Sequence, residues 1–134
     1  MDQYDTAIQE QIVKARELLH KVRHYAYASI NQDGSPHNSP LMRIHDHSFS
    51  TLYIGSRSDS RHVENMTRTG QAYAVVFDAF VKNQGGIYIT CTDFRECTGN
   101  ELLTALEIHN SFRARDGSAP IDIEYYRSEK PAQR

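Results

Sequence analysis

Between Tyr25 and Ile54 three strand-like runs follow one another with only turn-sized connections. Tyr25 to Ile30 alternates weakly and leads into Asn31-Gln-Asp-Gly34, a hairpin signal. The return strand is expected from about His37 to Ile44. Pro36 and Pro40 flank and interrupt it, and proline has no N–H for a ladder, so this strand belongs at an edge or a bulge. His45 to Ser48 reads as a turn and Ser50 to Gly55 as a third strand. Hairpin-sized connections cannot hold the crossover that parallel strands need, so the sheet is expected to be antiparallel.

Helical patterns frame these strands. Ile8, Ile12, Ala15, Leu19 and Val22 recur at offsets of four and three, which predicts one apolar stripe on a helix from about Asp5 to Val22. A short helix is predicted from Asp59 or Ser60 to Thr69, with Val63 and Met66 inward and Gly70 as its C-cap. Tyr73 to Phe77 is mostly apolar and expected to be buried on both faces. Ile87 to Glu96 reads as a longer strand. Thr98 and Glu101 have capping-box spacing and open a helix that carries Leu102, Leu103, Leu106 and Phe112. Arg113 and Arg115 suit its C-terminus and Asp116-Gly117 stops it; Ile121 and Ile123 alternate in the tail that follows. Five or six strands with a helix at each end suggest a small barrel with helical plugs.

At 134 residues the chain is expected to form one domain, 1–134. Its 39% hydrophobic content and net charge of -2 exclude a disordered or polybasic chain, and nucleic acid is not an expected partner. No apolar run is long enough for a membrane span, and the polar start, Met1 to Asp5, is unlike a signal peptide, so a cytoplasmic location is expected. Six residues of extended chain hold Cys91 and Cys97 about 20 Å apart, too far for a disulfide, so both are read as reduced packing residues.

The segment Tyr53 to His62 concentrates the chemistry. A strand-like run ends at Gly55, and Ser56, Arg57, Ser58, Ser60, Arg61 and His62 follow immediately before a helical pattern. A helix start offers unpaired N–H groups and a positive dipole end, and hydroxyls and guanidinium groups add donors that suit phosphate. The plainer reading is a solvated loop with an ordinary helix cap.

The motifs Asp33 to His37, Leu52 to Ser56, Ser60 to Asn65 and Ala74 to Asp78 fall in the order and spacing of the pyridoxamine 5'-phosphate oxidase-like FMN-binding split barrels, which this chain resembles over about residues 24 to 115. The resemblance implies a mainly β, α+β fold, a six-stranded antiparallel split barrel with flanking helices. It also implies a homodimer with FMN in two interface clefts. In that family a serine or threonine closing the third strand holds the FMN phosphate, which matches Ser56. An Arg-Lys pair at the start of the short helix also holds it; Arg61 matches the arginine, and His62 stands where lysine is usual. Arg57 and Ser58 are further donors. The second strand lines the flavin ring largely through backbone groups, here about Asn38, Ser39, Pro40 and Leu41. Lys82 and Gln84 are the residues expected to reach the ring or ribityl chain from the other subunit. Authentic pyridoxamine phosphate oxidases end in a tryptophan-containing segment, and this chain has no tryptophan, so vitamin B6 oxidation is not expected. The end at Pro131-Ala-Gln-Arg134 leaves room for a missing last strand.

The function implied is an FMN-dependent oxidoreductase passing hydride or electrons between a reduced nicotinamide donor and a small acceptor. The alternative is a non-catalytic protein of the same fold that carries flavin, deazaflavin or haem. No side chain is singled out as acid or base, and no metal is expected: His37, His45 and His47 lack a carboxylate or cysteine at ligand spacing and read as a solvent-exposed turn. His109 is expected in surface or interface packing.

Overall fold

A computed structural model of the chain describes residues 3–81 and 85–127. The elements run α1 (Gln3–Lys21), β1 (His24–Ile30), β2 (Pro36–Met42), α2 (Arg61–Thr69), β3 (Ala72–Val76), β4 (Ile87–Cys91), α3 (Gly99–Arg115) and α4 (Ile123–Arg127). The strands form one antiparallel sheet in the order β2-β1-β3-β4. The β1–β2 hairpin turns through Gly34 at φ 88°, and the Asn31 N–H donates to the Ser35 carbonyl.

Register assigns the faces. Tyr27 lies opposite Ser39 on one side and Ala74 on the other, and Ala74 lies opposite Ile89. Tyr25, Tyr27, Ala72, Ala74 and Val76 therefore share one buried face, packed under Leu18 and Leu19 of α1 and Met66 of α2. Full burial of a side chain such as Met66 contributes about 1.5–3 kcal/mol. The same alternation puts His37, Ser39 and Leu41 on this inner face and Asn38, Pro40 and Met42 on the outer one.

The open edge of β2 follows from the ladder's parity. Arg43 N–H donates to the Arg23 carbonyl at one end, and Asn31 N–H to Ser35 at the other. Alternation then turns the backbone groups of the even-numbered residues of β2 away from β1. Pro36 and Pro40 stand at two of these positions, where a missing N–H removes no ladder bond.

Four strands, rather than the expected six, are regular among the described residues. The segment expected as a third strand keeps one bridge, His45 to Leu52, flanked by Tyr53 N–H to the Ile44 carbonyl at 2.8 Å and Asp46 N–H to the Thr51 carbonyl at 3.1 Å. Asp46 holds that turn, accepting from the Ser48 and Ser50 hydroxyls and from the Ser50 and Thr51 N–H groups. β4 ends at Cys91, not Glu96, because the partner of Cys91 is Ala72, the first residue of β3. Ile121 and Ile123 do not extend a strand: Asp122 accepts the Tyr125 N–H and α4 begins. β3 is buried on one face only, with Tyr73 exposed.

The helices depart from their patterns as well. Only the C-terminal half of α1 packs, and Ile8 and Ile12 are exposed. α3 buries Ala105, His109 and Phe112 and leaves Leu103 exposed. The capping box does not form, since Thr98 makes no side-chain cap bond and Glu101 pairs with Arg95.

Arg43, just past β2, is only 2% exposed. Its Nη2 donates to Asp116 Oδ1 at 3.0 Å, and its guanidinium lies 4.8 Å from the Phe112 ring centre. A buried cation stripped of its counter-charge is far costlier than the loss of the whole pair. Asp116→Ala is expected to destabilise the protein by about 3–5 kcal/mol and Arg43→Met by distinctly less. Urea unfolding of both variants measures the difference.

Candidate functional site

Asn65 seats α2. It is buried, and its Nδ2 donates to Ser29 Oγ at 3.1 Å and Asn31 Oδ1 at 2.9 Å. The C-terminus closes through Gly70 at φ 70°, whose N–H reaches the Met66 carbonyl. With α2 clamped on the β1–β2 hairpin, its first turn lies against the inner face of β2.

A chain of side chains joins the two elements. His37 Nε2 lies 3.1 Å from Ser39 Oγ, and Ser39 Oγ lies 3.3 Å from His62 Nδ1. His62 Nε2 lies 2.7 Å from Ser56 Oγ and 3.3 Å from Ser60 Oγ. Ser60 stands at the N-cap of α2 but makes no side-chain cap bond; its hydroxyl donates to the Arg57 carbonyl at 2.8 Å. The first-turn N–H groups thus lack a side-chain cap acceptor from this residue, a setting that suits an anion. Exposed Arg61 opens the same turn. Half-burial of His62 holds its pKa below the usual histidine value, and His37 nearby adds to the effect.

The expected site residues separate into three groups. Ser56 and His62 meet at the start of α2, Ser39 joins them, and Arg61 is the first residue of that helix. Arg57 lies in the same turn, but its Nε and Nη2 donate to the two carboxylate oxygens of Asp59 at 2.8 and 2.6 Å, so much of its charge is already matched. Ser58 is exposed in that turn. Asn38, Ser39, Pro40 and Leu41 do not line one surface: Ser39 faces the cluster, Leu41 packs at the core, and Asn38 and Pro40 face outward. Lys82 and Gln84 lie outside the described residues.

His37 and Ser60 complete the cluster; Ser60 belongs to the run of hydroxyls legible in the sequence, and His37 does not. His37 was weighed only as a partner of His45 and His47; strand alternation with a known hairpin register would have placed it beside Ser39. His45 is not in an exposed turn. It is buried, 4.2 Å from the Phe49 ring centre and 4.9 Å from that of Phe112. His109 is also buried, with Nδ1 2.5 Å from the Tyr126 hydroxyl. Tyr126 in turn faces Gly55, where an added Cβ would sit 3.8 Å from its ring. Among the described residues no group of three or more His, Cys, Asp or Glu could hold a metal ion. Cys91 and Cys97 are both free. A separate groove of about 400 Å³ opens on the outer sheet face, lined in part by Val22, Ala26, Pro40, Val75 and Phe80. It lies on the opposite side of β2 from the serine–imidazole cluster.

Burial depresses the pKa of His45, His62 and His109 alike. The unfolded chain then binds protons that the folded chain refuses, so stability is lost as pH falls below about 6.5. The melting temperature is expected to drop between pH 7 and pH 5 at constant ionic strength, and the drop to shrink in His109→Gln. Scanning calorimetry across that interval tests both outcomes.

No family model and no curated protein matches the sequence. Solved structures do match in three dimensions. A conserved hypothetical protein, Rv2991 from Mycobacterium tuberculosis, superposes with a TM-score of 0.63 at 15% identity, over 92% of this chain and 69% of that one. HutZ, the heme storage protein from Vibrio cholerae, gives 0.62 at 11% identity, over 78% of each chain. A pyridoxamine 5'-phosphate oxidase-related, FMN-binding protein from Nostoc punctiforme gives 0.53 at 13% identity, over 98% of this chain and 73% of that one. No helix among the described residues is long and apolar enough to cross a membrane. The chain thus has an α+β fold with an antiparallel sheet of the pyridoxamine 5'-phosphate oxidase-like kind, as the sequence motifs led one to expect.

Proposed function

We propose that this chain binds FMN, with the phosphate held by Ser56, Arg61 and His62 and the ring set along the open edge of β2. The observation that carries this reading is the convergence of Ser39, Ser56, Ser60 and His62 on one first turn whose Ser60 hydroxyl is turned away from capping. The donor set fits a phosphate: Arg61 supplies permanent charge, and Ser56 supplies an exposed hydroxyl. Ser58 can add a hydroxyl from the same turn. Arg57 contributes less, because Asp59 already chelates it.

Asn38 N–H and the Pro40 carbonyl belong to the open edge of β2, where they can meet the polar rim of a flavin ring. The outer sheet face carries exposed Tyr73 on β3 and Tyr88 on β4, across β1 from that edge, while exposed Phe77 and Phe80, the latter 98% exposed, line the groove that reaches Pro40. Exposed aromatic surface of this extent favours coverage by a partner, and a second copy of the chain would complete a two-subunit ring cleft. Lys82 and Gln84 of that second copy remain the proposed ring or ribityl contacts.

FMN, when bound, supplies hydride or electron transfer, here between a reduced nicotinamide and a small acceptor. The chain's own residues bind the phosphate and orient the ring, and none is assigned as acid or base. The fold shared with an FMN-binding protein supports the reading. The likeness to a heme storage protein makes carriage without turnover the competing one.

Visible absorption of the freshly purified protein separates them: flavin bands bleached by NADPH are expected, whereas stable flavin bands mean carriage and a Soret band means haem. Arg61→Ala is expected to weaken FMN binding by about 1.5–3 kcal/mol, the range for a hydrogen bond to a charged group. Quenching of flavin fluorescence measures it, and an unchanged affinity removes Arg61 from the site. Sedimentation is expected to show a dimer; a monomer fully loaded with flavin contradicts the shared cleft.

A further inference from the structure

Two imidazoles and one hydroxyl bridge β2 and α2 at the same turn. Ser39 Oγ contacts His37 Nε2 at 3.1 Å and His62 Nδ1 at 3.3 Å. A hydroxyl has one proton to give. Ser39 can donate to only one ring at a time and must accept from the other. A donor assignment that satisfies these contacts with neutral rings runs His37 Nε2–H to Ser39, Ser39 O–H to His62 Nδ1, His62 Nε2–H to Ser56 and Ser60 O–H to the Arg57 carbonyl. The Ser56 proton is then left for Ser60 Oγ, 3.1 Å away, or for a ligand. All rings in this assignment are neutral.

We propose that His37 and His62 form a proton-accepting pair bridged by Ser39, and that the pair takes up a proton as it binds the dianion of a phosphate monoester. This deepens the FMN reading by naming how the phosphate site is regulated, and it rests on that reading only for the identity of the ester. A proton added at His62 Nδ1 reverses that bond, so Nδ1–H donates to Ser39. Ser39 O–H then turns to His37 Nε2, and that ring carries its own proton on Nδ1. The pair gains one positive charge, His62 Nε2–H still donates to Ser56, and the Ser56 hydroxyl keeps its proton for the anion. Without an anion this charge is unfavourable, because His62 is half-buried and the charged ring loses solvation there. With a dianion alongside, the balance reverses.

The charged groups around the pair do not supply this proton dependence. Arg61 and Arg57 are permanently charged in this range, and Asp59 is held ionised by Arg57. Asp33, in the hairpin turn, is held ionised chiefly by its Ser35 hydrogen bonds, with Arg61 a lesser influence. Glu64 is the acidic residue in the first turn of α2. A phosphate monoester's own second pKa is about 6, so above that pH the ligand stays largely dianionic.

Calorimetric titrations of the full-length protein with FMN and, separately, phenyl phosphate at pH 6.5 and 8.5 test the inference. Each titration is run in two buffers of different ionisation enthalpy. Both ligands are expected to bind about two- to fivefold more tightly at the lower pH, the range that a one-unit rise gives over this interval for an imidazole starting at or below its usual value, with proton uptake from the buffer. His62→Lys is expected to bind FMN with an affinity that no longer changes over this interval and with no proton uptake, since lysine stays charged. Equal affinity at both pH values, binding without proton uptake, or no binding of either ligand overturns the inference. FMN binding no tighter than phenyl phosphate, with the pH dependence intact, overturns the flavin reading and leaves the proton-accepting pair standing.

Discussion

The turn from Asn31 to Ser35 pairs Ile30 with Pro36, and that single register decides which way each residue of β2 faces. A slip of one residue would send His37 and Ser39 to the outer face and bring Asn38 and Pro40 inward. The serine–imidazole cluster, the protected edge and the split between inner and outer residues of β2 all rest on it. Asn65 extends the constraint to α2, because its amide reads Ser29 and Asn31 at the end of the same hairpin. The phosphate end of the proposed site is therefore built on regular elements, with only residues 56–60 in a turn.

Electrostatics divides the molecule into two regions of different character. Around Arg43 a buried cation is matched by Asp116 and an aromatic ring, an arrangement that holds the end of β2 to the C-terminus of α3. Around His62 the hydrogen-bonded groups are hydroxyls, with a second imidazole one bond further along the chain. A lysine at that position would bind phosphate with little regard to pH in this range. In the proposed phosphate site, the imidazole would exchange constant affinity for sensitivity, with Arg61 supplying the steady part of the attraction.

The sequence motifs led to the α+β class, the antiparallel sheet and most of the cluster for a physical reason. Glycine and aspartate at the hairpin, proline at the edge and a glycine C-cap each answer a local backbone requirement, and local requirements are written in local sequence. Ser56 and His62 are close in the chain, so their meeting needs only the turn into α2. Arg57 belongs to the same stretch, yet its pairing with Asp59 two residues on drew it away from the shared cradle.

What the sequence by itself determined is the antiparallel order, the turn into α2 and the concentration of phosphate-type donors there, because each depends on neighbours within a few residues. Tertiary structure alone decided that Ser50 to Gly55 keeps a single bridge instead of a strand, that β4 stops where β3 offers no partner, and that His45 is buried between Phe49 and Phe112. It also decided that His37 stands beside Ser39 and His62, residues 25 positions apart at their extremes. Such meetings depend on register and on packing between distant segments, which no local pattern encodes.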